Sequence, residues 1–242
     1  MSQSTLPIAP GRAAPTSDID GMPDMEFARH RMVDTQIRPV KVSDPRILKI
    51  MRTLPRERFV PADRAPVAYT DQNISLGDGR VLTEPRVIAR MVQSLVPRRG
   101  ERALVVGAGT GYAACLLEAL GIDVVALEQN QALAVLGHAL VAELAPAVRY
   151  QVGPLSDGYA ELGPYDLILI DGAVRAIPDG LAAQLAPGGR MCGVLALEGH
   201  VATAFLAEAS PVVGVATLKA RPQFDAATPL LPELAPAPAF SF

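Results

Sequence analysis

Gly107, Ala108, Gly109, Thr110, Gly111 and Tyr112 stand between an apolar run and a helical pattern in a chain of 242 residues. A glycine-rich bend from strand to helix lets backbone approach a ligand where a Cβ would intrude, and the helix N-terminus offers unpaired N–H groups and positive potential. A nucleotide-like cofactor fits there, although a plain strand-to-helix turn uses the same residues. The dinucleotide fingerprint wants its third glycine at position 112; this chain has Tyr112 there and Gly111 one residue earlier. Glu128 ends the next strand pattern, where a carboxylate accepts hydrogen bonds from both ribose hydroxyls; a solvated strand-end charge is the alternative. Asp171 follows a later strand, also at the carboxyl edge where ligands bind in such sheets, with a solvated or helix-leading residue as the bland equivalent. Thr83 precedes Pro85 and makes a good N-cap for the helix that follows.

To hold these groups on one edge the chain needs alternating strands and helices. Strand-like runs are expected at 103–106, 122–127, 148–152, 166–170 and 190–197, with a helix after the first that turns Ala113, Leu116, Leu117 and Leu120 inward and further helices over about 131–144 and 178–186. Runs that are apolar throughout belong in a parallel sheet covered on both faces. The alternation predicts an α/β fold with a doubly wound, mostly parallel sheet. Residues 201–207 and 212–218 suit a closing antiparallel pair. Upstream, helices are expected at 27–37 and 44–54, and Ile88, Met91, Val92 and Leu95 make one stripe of a third, ended by Pro97 and Gly100. The expected divisions are a disordered tail over 1–24, a helical and substrate-loop region over 25–99, a cofactor-binding α/β domain over 100–218 and an irregular, proline-rich segment over 219–242.

Composition narrows the function. A net charge of −3 supplies no basic field for a phosphate backbone, so nucleic acid is not expected as a partner. No run is apolar and long enough for a membrane span, and residues 1–24 lack a secretory core, so a cytoplasmic location is expected. Cys115 and Cys192 lie in apolar runs as small hydrophobes; with His30, His138 and His200 they make no zinc-ligand spacing, and no metal is expected.

The stretch before the glycine bend carries a more specific pattern: Leu54-Pro55-Arg56-Glu57-Arg58-Phe59-Val60-Pro61, then Ala68-Tyr69-Thr70-Asp71, then Gly77-Asp78-Gly79-Arg80-Val81-Leu82-Thr83-Glu84-Pro85. Downstream come Pro164-Tyr165-Asp166, Ile177-Pro178 and Gln184-Leu185-Ala186-Pro187-Gly188-Gly189-Arg190. In order and spacing, roughly residues 26 to 198 resemble the protein-L-isoaspartate O-methyltransferase family, and the GxGxG spacing resembles the first motif of class I methyltransferases. The resemblance implies a Rossmann-like domain, S-adenosylmethionine as cofactor, and methyl transfer to the α-carboxylate of L-isoaspartyl residues in damaged proteins or peptides. It puts Thr83 at the family's active-site hydroxyl, Asp78, Val81 and Leu82 beside it on the substrate loop, and Gly107, Ala108, Gly109, Thr110, Gly111, Tyr112, Glu128, Gln129, Leu155 and Asp171 around the cofactor. Two positions depart from the family pattern. Val105 stands where an acidic residue usually precedes the bend, and Pro154 where an aspartate commonly meets the adenine amino group, with Asp157 as a nearby substitute. Each lost contact is worth about 1 kcal/mol or more. Two other readings therefore stay open: methylation of a different carboxylate or peptide-maturation substrate, and a non-catalytic scaffold with a degenerate cofactor site. Oligomeric state is not legible.

Overall fold

The computed structural model describes residues 25–214 and 217–234; the expected tail over 1–24 and the last eight positions lie outside them. Among the described residues the strands are β1 (Ile74–Gly77), β2 (Arg80–Leu82), β3 (Arg102–Val106), β4 (Asp123–Glu128), β5 (Arg149–Val152), β6 (Tyr165–Val174), β7 (Leu185–Leu195), β8 (Thr203–Ala209) and β9 (Leu218–Asp225). The helices are α1 (Met25–Met32), α2 (Pro45–Thr53), α3 (Pro85–Ser94), α4 (Tyr112–Ala119), α5 (Gln131–Leu144) and α6 (Asp179–Ala182).

One sheet holds seven strands in the order β5-β4-β3-β6-β7-β8-β9. The first five run parallel, and β8 and β9 close the far side antiparallel. The chain winds outward from β3 through β4 to β5, then returns to lay β6 on the other side of β3. That reversal makes a crevice beyond the carboxyl ends of β3 and β6, the place where open α/β sheets bind ligands. The doubly wound, mostly parallel sheet with an N-terminal helical extension is therefore present.

The two faces are covered unequally. Val105, Val124, Ala126, Leu167 and Leu169 point into a core built with Met32, Met51, Ile88, Met91, Leu116 and Val141, from α1 to α5. The alternate residues Leu104, Val106, Val125, Leu127, Ile168 and Ile170 meet Leu155, Leu181, Leu231 and Leu234, drawn from short turns, α6 and the C-terminal segment. Strands buried on both sides read as continuous apolar runs, as 103–106, 124–127 and 167–170 do.

Several boundaries differ from the sequence-based expectations. The first helix stops at Met32 and passes into a π turn over Val33–Ile37. The helix expected over 178–186 is only Asp179–Ala182, because β7 already begins at Leu185. The second closing strand lies at Leu218–Asp225, not 212–218, so part of the segment expected to be irregular is sheet. Its Pro222 is tolerated because β9 lies at an edge of the sheet and its register with β8 is irregular beside it. The short antiparallel hairpin of β1 and β2 was not expected at all.

Candidate active site

Three segments meet at the crevice. The glycine bend leaves β3 with Gly107, Gly109 and Gly111 at φ 75°, 55° and 94°. At Gly111 a Cβ would lie 2.5 Å from Val141 Cγ2, so only glycine lets α4 start where it packs on α5. Thr110 does not face a ligand: its hydroxyl donates to the Phe59 carbonyl at 2.7 Å and ties the bend to the Phe59-Val60-Pro61 turn. Tyr112 is buried edge-on to Phe59, with the Arg56 guanidinium 5.0 Å from its ring centroid. Neither Thr110 nor Tyr112 is placed as a cofactor contact.

The β1–β2 hairpin is the second segment. Gly77, Asp78 and Gly79 all take positive φ, 96°, 49° and 73°, a tight reversal that sends Arg80 inward. Asp78 accepts from Asn130 Nδ2 at 3.1 Å, which fastens the hairpin over the start of α5. Val81 is half-buried and Leu82 is buried. Thr83 follows, 2% exposed. Its hydroxyl donates to Asp171 Oδ1 at 2.6 Å and its carbonyl accepts from Arg56 Nη2 at 2.7 Å. The N-cap alternative fails: the cap position of α3 is Glu84, and no side chain caps it. Asp171 is not helix-leading, since it lies inside β6, where it is half-buried. Burial pushes its carboxyl above the usual carboxylate range, opposed by the Thr83 hydrogen bond and by the charges of Arg80 and Arg56. Beside it, Arg56 Nη1 and the Tyr112 hydroxyl are buried without a hydrogen-bond partner.

Glu128 overturns its expected role in this conformation. Arg80 grips it with both arms, Nη1 to Oε1 at 2.7 Å and Nη2 to Oε2 at 3.0 Å. The backbone N–H groups of Gly109, Gln129 and Asn130 add bonds of 2.7, 2.9 and 2.8 Å. A carboxylate has about four lone-pair sites, so nothing is left for a ribose. Arg80 Nη2 also donates to the Gly107 carbonyl at 2.9 Å.

The third segment is the C-terminal one. Ala173 N donates to Pro229 O at 3.0 Å and Leu231 N to Ala173 O at 2.8 Å, which lays residues 229–231 along the end of β6. The Leu231 side chain fills the crevice: a Cβ on Gly107 would meet its Cδ1 at 3.2 Å, and one on Gly172 would meet its Cγ at 2.6 Å. What remains between Arg80, Asp171, Gly172 and Leu231 is a hollow of about 10 Å³, room for about one water. Sites for ligands of drug size enclose roughly 300 Å³ or more.

The other expected contacts are structural. Gln129 accepts from the Leu155 N–H at 3.0 Å, and Leu155 is buried under the sheet. Asp157 is exposed and accepts from Ser156 Oγ at 2.9 Å. Val105 is wholly buried in the larger core. Among the described residues no cluster of three or more His, Cys, Asp or Glu suits a metal ion.

The family Protein-L-isoaspartate(D-aspartate) O-methyltransferase matches residues 28–202. This chain belongs to that family. A protein-L-isoaspartate O-methyltransferase of Methylorubrum extorquens (strain PA1) is 41% identical over 182 residues, spanning 75% of this chain and 79% of the relative. Among solved structures, one protein-L-isoaspartate O-methyltransferase superposes with a TM-score of 0.73 at 23% identity, over 87% of this chain and 67% of its own. Another, a putative protein-L-isoaspartate O-methyltransferase from Plasmodium falciparum in complex with S-adenosyl-L-homocysteine, gives 0.68 at 18% identity, over 85% of this chain and 98% of its own. At those identities the likeness concerns the fold. This protein-L-isoaspartate O-methyltransferase family member thus carries the family's sheet, while its own Arg80 and Leu231 occupy the crevice. In this conformation the two side chains fill the space beyond the carboxyl ends of β3 and β6. Arg56, Arg80 and Leu231 were missed as site residues. The only sequence signals were the absent polar partners at Val105 and Pro154 and a lone arginine in the Gly79-Arg80-Val81-Leu82 run.

Proposed function

We propose that the chain is an S-adenosylmethionine-dependent carboxyl methyltransferase acting on the α-carboxylate of L-isoaspartyl residues in damaged proteins or peptides, as a cytoplasmic repair enzyme. One observation carries this: a family match over 28–202 in a chain whose Thr83 and Asp171 adjoin at the carboxyl edge of the sheet. The acceptor carboxylate, which ordinarily titrates near about pH 4, is already ionised at neutral pH and needs no general base. The protein's task is to hold an oxygen in line, and such positioning supplies several kcal/mol. In this reading Thr83 orients the carboxylate, Asp78, Val81 and Leu82 form the loop beside it, and Arg56 fixes the Thr83 backbone from below. Residues 25–99 bring the acceptor side and residues 100–218 the donor side.

The filled crevice favours a second reading, a non-catalytic scaffold. Methylation of matched isoaspartyl and normal aspartyl peptides by the full chain and by a folded Arg80→Ala variant separates the two. Labelling confined to the isoaspartyl peptide is expected from at least one of them. Equal labelling would move the activity to carboxylates in general, and none from either protein would leave the scaffold.

A further inference from the structure

Arg80 and Leu231 approach the same crevice from distant parts of the chain and between them take up what a ligand would use. Arg80 is 4% exposed and Glu128 is fully buried, so the guanidinium covers the carboxylate from solvent as well as pairing with it. Leu231 lies over Gly107 and Gly172, and at Gly172 its side chain comes to 2.6 Å of where a Cβ would stand, closer than any other residue there would permit. We propose that Arg80 and the segment over residues 228–234 form an internal plug of the cofactor crevice, so that the free chain is closed and an adenosine-bearing sulfonium ligand enters only as both withdraw. The inference rests on the methyltransferase reading above and assigns that site a form of regulation.

Opening strands no charge. When Arg80 leaves, Glu128 keeps the N–H groups of Gly109, Gln129 and Asn130. The departing guanidinium has a second carboxylate at hand: Glu233 Oε1 lies 4.0 Å from Arg80 Nη1, and Glu233 Oε2 is buried without a partner. Arginine and segment therefore move as a pair. The segment's backbone meets the sheet at a single bridge, the pair of hydrogen bonds with Ala173, and its side chains Leu231 and Leu234 pack into the smaller core. Asn73 Nδ2 anchors its start at the Ala227 carbonyl, 2.9 Å away, which marks the hinge. Arg80, for its part, sits just past the three positive φ angles of the hairpin turn, a short arm on a compact pivot.

A closed majority state lowers apparent affinity by the fraction of molecules that are open. The test is calorimetric titration of S-adenosylhomocysteine into the intact chain, Arg80→Ala and Leu231→Ala, each first shown to melt cooperatively. Both variants are expected to bind about tenfold tighter or more than the intact chain. Hydrogen exchange on the intact chain gives a second measurement: added S-adenosylhomocysteine should speed exchange at the Leu231 amide while slowing it at Gly109. Equal affinity in all three proteins, with isoaspartyl methylation retained, would overturn the plug and leave the enzyme assignment standing. Tighter binding by the intact chain than by Arg80→Ala would make Arg80 a ligand contact and also overturn it. Absence of binding by every folded form would remove both plug and methyltransferase.

Discussion

At the scale of single residues, Thr83 and Asp171 are joined by one short hydrogen bond in a buried setting, and each yields an expectation. Hydrogen bonds to charged groups are worth about 1.5 to 3 kcal/mol, which corresponds to about ten- to hundredfold in rate. Thr83→Ala is therefore expected to lower isoaspartyl methylation by about that factor while S-adenosylhomocysteine affinity changes less than about twofold. Unchanged turnover in this variant would remove Thr83 from the reaction. For Asp171, burial raises the folded-state pKa, so the ionised form is less at home in the folded chain than in the unfolded one. Its contribution to stability is full below the unfolded value, near about 3.9, and is lost as pH rises through the higher folded value. Asp171→Asn should consequently melt higher than the parent at pH 7, with the gap closing as pH falls toward about 4. A gap that widens in acid would contradict the assigned burial cost. The two cysteines behave as their apolar neighbours suggested, both buried and with thiols pushed up to about 12 by desolvation.

At the scale of elements, the glycine bend is set by packing more than by any ligand. Gly111→Ala places a methyl within 2.5 Å of Val141 Cγ2 and asks alanine for φ 94°; a loss of more than about 1 kcal/mol of stability is expected in urea unfolding. An unshifted midpoint would mean that α5 yields freely. Legibility in the sequence followed local repetition. Apolar runs and helical stripes disclosed β3 to β6, α3 and α5 because burial on a regular element writes a period into the chain. The β1–β2 hairpin escaped because its strands are four and three residues long, too short for a period. β9 escaped because Pro222 argues against a strand unless the strand is known to lie at an edge. The family blocks pointed to Thr83, but no spacing could disclose that Arg80 reaches Glu128, 48 residues away.

For the molecule as a whole, the C-terminal segment does two things at once. Leu231 and Leu234 complete the smaller core beneath β3, β4 and β6, and the same Leu231 enters the crevice. Fold and site are therefore not separable along the chain, which is why the expected irregular tail proved to be part of both. The sequence carried the architecture and the family; it did not carry the state of the crevice, which depends on side chains brought together from three distant segments.

One of the two open margins of the sheet, among the described residues, is β9, where Lys219, Ala220, Arg221 and Pro222 are exposed in succession. Two like charges and an imino acid deny a second molecule the hydrogen-bonding template that an open strand otherwise offers, so stacking of copies into extended sheets is discouraged at that border. The proline that concealed this strand also guards it.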